Sequence, residues 1–179
     1  KDFQKTVGLR IDEVIAFWNQ HKNLGIQDEK AVEDAIIDQM ILLVHENPIP
    51  LKGVHETLAY LKKLNIQIGL ATSSPYRLLN AVLTALKIED YFDFVHSAEK
   101  ESFGKPHPVV YISTAKALSV KPSKCLVIED SFNGVISGKA AKMDVVCIPE
   151  KTHETNVKLN VADYLFEDMT EMLNEIQHE

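Results

Sequence analysis

Two adjacent carboxylates, Glu129 and Asp130, directly follow an apolar run at residues 125–128. Such a run predicts a strand that is covered on both faces, as in the interior of a parallel sheet. Open α/β sheets bind ligands just beyond the carboxyl ends of their strands. Neighbouring anions repel each other unless a positive group lies nearby, and Mg²⁺ prefers carboxylate and water oxygens. We therefore expect a magnesium site here, and the simpler alternative is a solvated turn or a helix cap.

A turn rich in hydroxyl groups, Thr72-Ser73-Ser74, follows a second predicted strand at residues 66–71. Pro75 suits the first position of a helix, and Ser74 would then cap that helix. A helix start of this kind offers free backbone N–H groups and a favourable dipole to an anion such as phosphate. The alternative is that Ser74 only caps its helix and Thr72 only ends its strand.

A single lysine, Lys105, lies between Gly104 and Pro106, and Pro108 opens the next predicted helix. The prolines hold this segment stiff and extended, which suits a lysine that points inward as a fixed positive charge. The alternative is an exposed loop in which the lysine has no role. We expect His107 to be a packing or capping residue, because none of the seven histidines has metal-type spacing to another His or Cys.

Alternating strands and helices must position these three groups. The alternation predicts an α/β fold with a Rossmann-like parallel sheet and helices on both faces. The groups at its strand ends then form one cleft, with hydroxyl, amide and ammonium groups for a phosphate and carboxylates for a metal, as phosphoryl transfer requires. The predicted helices are 54–64, 75–86, 108–118, 132–143 and 169–176, and the predicted strands are 66–71, 94–96, 125–128, 145–148 and 164–166.

The N-terminal part of the chain has a different pattern. Apolar residues recur at helical spacing in residues 11–18 and 32–44, which predicts two amphipathic helices with no strand between them. Polar residues such as Glu13 and Asn19 are expected on a solvated outer face. The prolines near residue 49 break the pattern. We therefore expect a small helical unit, residues 1–49, and an α/β core, residues 50–179.

Composition limits the classes of function. A chain of 179 residues can form one core with a small accessory unit. Its net charge of −7 argues against broad nucleic-acid binding but allows a small anionic substrate in a locally positive cleft. No apolar stretch approaches the roughly 20 residues needed to cross a bilayer. Cys125 and Cys147 lie in apolar runs, so we expect small buried side chains in a reducing compartment. We also expect a cytoplasmic monomer without nucleic-acid or membrane partners.

Taken together, these motifs resemble those of the haloacid dehalogenase superfamily of phosphohydrolases. Thr72 in residues 70–74 resembles the second motif of that family, Lys105 in residues 104–108 the third, and residues 129–134 the fourth. Their order and spacing match over nearly the whole chain. The similarity is greatest to the β-phosphoglucomutase-like branch, which includes phosphatases of sugar phosphates such as 2-deoxyglucose 6-phosphate. Residues 6–10 resemble the loop of its helical cap that meets the substrate.

The resemblance implies a magnesium-dependent phosphatase that acts on a small phosphorylated sugar, a hexose or deoxyhexose phosphate. Lys105 would also neutralise the attacking carboxylate. Arg10 is expected to set specificity, because a guanidinium suits hydroxyl and phosphate groups, unless it forms only a surface salt bridge. The implied catalytic residues are Thr72 and Lys105, the phosphate-binding residues Thr72, Ser73 and Lys105, the metal ligands Glu129 and Asp130, and the residues that orient those ligands Ser131 and Asn133.

One motif of the family does not occur: the sequence contains no Asp-x-Asp. In the family, the first of these aspartates attacks phosphorus and the second acts as general acid and base. We therefore expect the nucleophile in a segment absent from this chain, and we expect the chain alone to be inactive, with a partial cap and a core that lacks its first strand. The alternatives are a sugar-phosphate mutase or a non-catalytic phosphate-binding protein. A haloacid dehalogenase is disfavoured, because dehalogenation needs no metal.

Overall fold

The computed structural model describes residues 5–150 and 157–178, which contain seven α-helices and five β-strands. Their types and order agree with the sequence-based prediction, and most ends shift by only one to three residues. The helices are α1 (Ile11–Lys22), α2 (Glu29–Glu46), α3 (Val54–Lys63), α4 (Tyr76–Leu86), α5 (Val109–Ala117), α6 (Phe132–Ala140) and α7 (Met169–His178). The strands are β1 (Gly69–Thr72), β2 (Phe94–Ser97), β3 (Leu126–Glu129), β4 (Asp144–Cys147) and β5 (Tyr164–Leu165).

All strand pairs are parallel, which confirms the predicted α/β class. β1 pairs with β2, with Gly69 opposite Phe94, and a separate sheet has the order β3-β4-β5, with Leu126 opposite Asp144. The described strands therefore form two sheets instead of the single sheet that we predicted. Alternation along a sequence indicates strands and their direction, but it does not specify which strands pair.

Helices cover both faces of the second sheet, as predicted. Successive side chains of a strand point to opposite faces. In β4, Val145 and Cys147 pack into the cluster formed with α5 and α6. Val146 and the following Ile148 pack against Met172 of α7 on the other face. Apolar burial on both faces explains why this segment reads as a continuous hydrophobic run.

Helix α5 joins the two sheets through a shared core. Ala71 of β1 and Val127 of β3 both pack into the same cluster as the buried residues of α5. On its other face, β1 contributes Leu70 to a separate cluster with Leu58 of α3 and Leu79 of α4. The strand ends that carry the candidate residues are thus held by one buried layer.

The two predicted N-terminal helices are present and pack against each other, and α2 also packs against α4. Arg77 of α4 lies 3.9 Å from a carboxylate oxygen of Asp34 in α2. The side-chain amide of Asn19 donates to the carbonyl of Ile26 and accepts from its amide, both at 3.0 Å, so Asn19 closes the turn between the helices and is not a solvated outer-face residue. Within residues 5–150 and 157–178, no helix combines the length and apolar character needed to cross a bilayer.

The prediction for His107 is confirmed, and the expected burial of the two cysteines is confirmed for Cys147 only. His107 accepts a hydrogen bond from the amide of Val109 at 3.2 Å, so it caps the start of α5. Cys125 and Cys147 are free cysteines, the first half-buried and the second buried. Burial raises the pKa of the Cys147 thiol to about 11, with a smaller contribution from nearby carboxylates, so this side chain is an inert part of the core.

Candidate active site

The centre of the site is an ion pair in the protein interior. Lys105 and Glu129 are only 6% and 8% exposed, and the ammonium group of Lys105 donates to Oε1 of Glu129. The hydroxyl of Tyr111 donates to the same oxygen. The Lys105 Nζ also lies 4.9 Å from the centre of the Tyr111 ring, where the ring face attracts a cation. The alternative that Lys105 lies in an exposed loop without a role is therefore wrong.

The other oxygen of Glu129 is held by the start of α6. Oε2 accepts hydrogen bonds from Ser131 Oγ at 3.1 Å and from the amides of Asp130 and Ser131 at 3.3 and 3.4 Å. Ser131 also caps α6 through the amide of Gly134, as predicted. A Cβ atom at Gly134 would lie less than 3.0 Å from the Glu129 carboxylate, so the absence of a side chain there lets the helix approach. Both oxygens of Glu129 thus have protein donors.

The pKa shifts follow from burial and charge. Burial by itself raises the pKa of Glu129, but the Lys105 ammonium and the hydrogen bonds from Lys105 and Tyr111 hold it below its ordinary value. Burial, then the charge of Glu129, raises the pKa of Tyr111 well above its usual range, so its hydroxyl stays protonated and donates. Asp130 is exposed as a residue, but partial burial of its carboxyl raises the pKa of that group, and the charge of Glu129 raises it further.

A divalent cation fits this charge distribution, because two neighbouring carboxylates are stabilised by positive charge. In the part of the chain that the structure describes, no three His, Cys, Asp or Glu side chains converge to hold a metal. An ion bound at Asp130 would therefore take further oxygen ligands from water or substrate, as Mg²⁺ usually does in phosphate-binding sites.

The hydroxyl turn follows β1, but its caps differ from the prediction. Thr72 ends the strand, and its Oγ1 accepts from the amide of Ser74 at 3.0 Å. The N-cap position of α4 is occupied by Pro75, not Ser74. The carbonyl of Ser74 instead accepts from Ser97 Oγ at 2.6 Å, which fixes the turn against the end of β2. The prediction that Ser74 caps the helix is wrong by one residue.

A short loop before α1 contacts residues from both strand ends. Ser73 Oγ donates to the carbonyl of Gly8, and the side-chain amide of Asn133 donates to the carbonyl of Val7, each at 2.7 Å. Gly8 has a φ of +85°, which favours glycine, and a Cβ atom there would lie 2.5 Å from Ser131 Oγ. The loop thus brings the hydroxyl turn and the end of β3 together.

Arg10 connects α1 to the segment before Lys105. Its Nη1 donates to the carbonyls of Glu101 at 3.1 Å and Ala98 at 3.4 Å. Its Nη2 lies 3.1 Å from Glu13 Oε1, and its Nε lies 3.5 Å from an oxygen of Asp12 without hydrogen-bond geometry. Salt bridges are therefore only part of its contacts, and its role in specificity remains a prediction.

Sequence reasoning missed two residues of this region. Tyr111 is the third residue of α5, and its position in the first turn after the lysine was the available signal. Glu13 was expected on a solvated face, which is wrong: its Oε1 accepts from the amide of Gly104 at 3.3 Å. Periodicity cannot reveal such a contact, because it identifies the apolar face of a helix and not the loop that covers the polar face.

Comparison with known proteins places this chain in a family. The family model of haloacid dehalogenase-like hydrolases matches residues 2–142. Hexitol phosphatase B of Escherichia coli (strain K12) is 37% identical over 167 residues, which cover 93% of this chain and 75% of that protein. The phosphorylated carbohydrates phosphatase of Thermotoga maritima is 38% identical over 102 residues, which cover 57% of this chain and 45% of that protein.

The solved structures agree with these sequence matches. β-Phosphoglucomutase from Clostridium difficile superposes with a TM-score of 0.83 at 26% identity, covering 98% of this chain and 78% of that chain. The resemblance of the three motifs to the haloacid dehalogenase superfamily, and to its β-phosphoglucomutase-like branch, is confirmed. The family model ends at the residues just after α6. The chain therefore belongs to the haloacid dehalogenase-like hydrolases.

Proposed function

We propose that this chain carries the phosphate-binding and metal-binding parts of a magnesium-dependent phosphatase of a small phosphorylated sugar. The observation that carries the proposal is the buried Lys105–Glu129 pair with the carboxyl of the next residue, Asp130, beside it. The names of two relatives, a hexitol phosphatase and a phosphatase of phosphorylated carbohydrates, support this class of substrate.

The phosphoryl oxygens of the substrate are held by the Thr72 hydroxyl, the Ser73 amide and the Lys105 ammonium. An ammonium group has three protons, so Lys105 can contact Glu129 and still donate to an anion. Because phosphoryl transfer depends mainly on position and on neutralised charge, a lysine fixed by a buried partner suits this role.

Magnesium binds at Asp130, with Glu129 as the second carboxylate, either directly or through water. When bound, the ion supplies positive charge to the phosphoryl oxygens. Ser131 orients Glu129 through its hydroxyl, at 3.1 Å from Oε2, and Asn133 fixes the adjoining loop.

The nucleophile of this proposal is an aspartate outside residues 1–179, in the Asp-x-Asp motif that the family resemblance implies. Its carboxylate attacks phosphorus as the P–O bond to the sugar breaks, and the sugar leaves as an alcohol that takes a proton from the second aspartate of the motif. Water then hydrolyses the aspartyl phosphate, which frees the carboxylate and releases inorganic phosphate. Residues 1–49 are part of a helical cap, in which Arg10 contributes to specificity, and residues 50–179 are the core. Residues 1–179 alone then release no phosphate.

The test uses the complete natural protein and a panel of hexose, deoxyhexose and hexitol phosphates, with and without Mg²⁺. We expect phosphate release that depends on magnesium and stops on chelation, with no release by residues 1–179 alone. Binding of phosphate and magnesium without turnover of any substrate would instead indicate the non-catalytic alternative.

A sugar-phosphate mutase is a second candidate, favoured by the structural similarity to β-phosphoglucomutase. The two activities differ in whether water or a second sugar hydroxyl accepts the phosphoryl group. Free phosphate and isomerised sugar phosphate, measured in the same reaction, distinguish them.

A further inference from the structure

The carboxylate of Glu13 joins the first turn of α1 to the loop that carries Lys105. Its Oε1 accepts from the amide of Gly104 at 3.3 Å, directly before the lysine. Its Oε2 accepts from the amide of Arg10 at 3.0 Å, and Oε1 lies 3.1 Å from the Arg10 guanidinium. One side chain therefore contacts both α1 and the lysine loop.

The absence of a side chain at Gly104 leaves room for the Glu13 carboxylate in its present position. Gly104 is buried, and a Cβ atom there would lie 2.8 Å from Oε1 of Glu13 and closer still to Oε2. The φ of Gly104 is outside the left-handed region, so an alanine would suffer no backbone strain. The restriction on this position therefore comes from the Glu13 carboxylate itself.

Arg10 supports the same contact from the other end of the loop. Its guanidinium binds the carbonyls of Ala98 and Glu101, while Glu13 binds Gly104. The Arg10–Glu13 pair thus holds both ends of the segment that leads into Lys105. A displacement of α1 would move this segment and, with it, the ammonium group.

We propose that Glu13 is a positioning residue that sets the Lys105 ammonium at the phosphoryl site when α1 is docked on the core. This inference deepens the proposed function and rests on it. Misplacement of a binding group by about 1 Å can lower the rate about 100-fold, so loss of the contact acts on the reaction more than on the fold. The simpler alternative is that Glu13 only completes a capping box at the start of α1.

The experiment is a double-mutant cycle in the complete natural protein with Glu13→Ala, Gly104→Ala and both together. We expect Glu13→Ala to lower kcat/KM about tenfold, mainly through kcat, and to weaken the binding of inorganic phosphate. Gly104→Ala lowers kcat/KM further, because its methyl group displaces the carboxylate. The double variant equals or exceeds Gly104→Ala in kcat/KM, because the methyl group then occupies the space that Glu13 leaves, so the effects are not additive.

The matched control is Glu33→Ala in α2, which removes another helical glutamate that pairs with a basic residue three positions before it, here Lys30. We expect its kcat/KM to stay within twofold of the natural protein. Loss of a helix cap alone would lower the thermal midpoint of Glu13→Ala without changing kcat at temperatures well below that midpoint.

The thermal midpoints of the four proteins in the cycle separate this inference from the proposed function, because they need no substrate. If the natural protein hydrolyses no sugar phosphate, the proposed function fails, but the cycle in thermal midpoints and in phosphate affinity still decides the role of Glu13. If the changes in thermal midpoint of the two single variants add up to that of the double variant, Glu13 and Gly104 do not interact and the proposed contact is wrong. Unchanged kcat/KM and phosphate affinity in Glu13→Ala would overturn the positioning role.

Discussion

The ammonium group of Lys105 and the carboxylate of Glu129 are in contact inside the protein, although the two residues are 24 positions apart in the sequence. The contact joins the loop before α5 to the end of β3. A buried charge that loses its ionic partner is costly, so the two side chains depend on each other. Replacing one of the two side chains should therefore lower both stability and activity, whereas replacing both should lower activity with little loss of stability.

Replacing Lys105 by Met should abolish activity and destabilise the fold. Glu129 would remain buried without its cation, at a cost of about 3–5 kcal/mol. The loss of a group that binds the phosphoryl oxygens should lower kcat at least 100-fold. Denaturant unfolding and phosphate release measure the two effects.

The double variant Lys105→Met/Glu129→Gln removes both charges and should recover most of the stability but none of the activity. Lys116→Met, at an exposed position on α5, the helix that follows the Lys105 loop, serves as the control. More than a tenth of the natural activity in Lys105→Met would contradict the role of this lysine.

Replacing Asp130 by Asn should abolish magnesium-dependent activity without loss of stability. Partial burial of this carboxyl and, to a smaller extent, the charge of Glu129 raise its pKa, so its charged form destabilises the folded state at neutral pH. Removal of the charge therefore leaves the thermal midpoint unchanged or higher, while the loss of a metal ligand prevents turnover. Asp144→Asn, at an exposed position on β4, is the matched control, and a large fall in the midpoint of Asp130→Asn would contradict the prediction.

Replacing Tyr111 by Phe tests a residue that the sequence did not single out. The change removes one donor to Glu129 and keeps the ring beside Lys105. Because the buried carboxylate loses a hydrogen bond, we expect about 1–3 kcal/mol of destabilisation in denaturant unfolding. Tyr164→Phe, at an exposed tyrosine, should stay within about 0.5 kcal/mol of the natural protein. Equal stability of the two variants would show that the hydroxyl of Tyr111 does not support Glu129.

Replacing Asp163 by Asn should reduce stability at neutral pH but not in strong acid. Its carboxylate accepts from Lys139 at 2.7 Å and from the amide of Val145 at 2.7 Å, and these contacts, that of Lys139 first, lower its pKa. A carboxyl whose pKa is lower in the folded state stabilises the fold at pH values above its unfolded-state pKa. This stabilisation is lost as the pH falls through the folded-state pKa. We expect a thermal midpoint about 2 °C lower near pH 7, with the difference vanishing once the pH falls below the folded-state pKa of Asp163. A difference that is independent of pH would contradict this.

The sequence predicted the strand and helix order well, because burial on both faces, proline positions and caps leave local signals. The inward position of Lys105 was also predictable, from the stiffness of its flanking prolines. The contact of Glu13 with Gly104 was not, because it depends on how α1 sits on a distant loop. The division into two sheets was missed for the same reason, since strand pairing is a long-range property.

The loop before α1 is held at two neighbouring carbonyls by side chains that follow different sheets. The hydroxyl of Ser73, after β1, donates to the carbonyl of Gly8, and the side-chain amide of Asn133, after β3, donates to the carbonyl of Val7. These two carbonyl groups therefore connect two sheets that share no strand pairing in the described part of the chain. Any movement that lifts the loop would release both sheets at once, so opening at the N-terminal end would be transmitted to the strand ends that carry the candidate residues of each sheet.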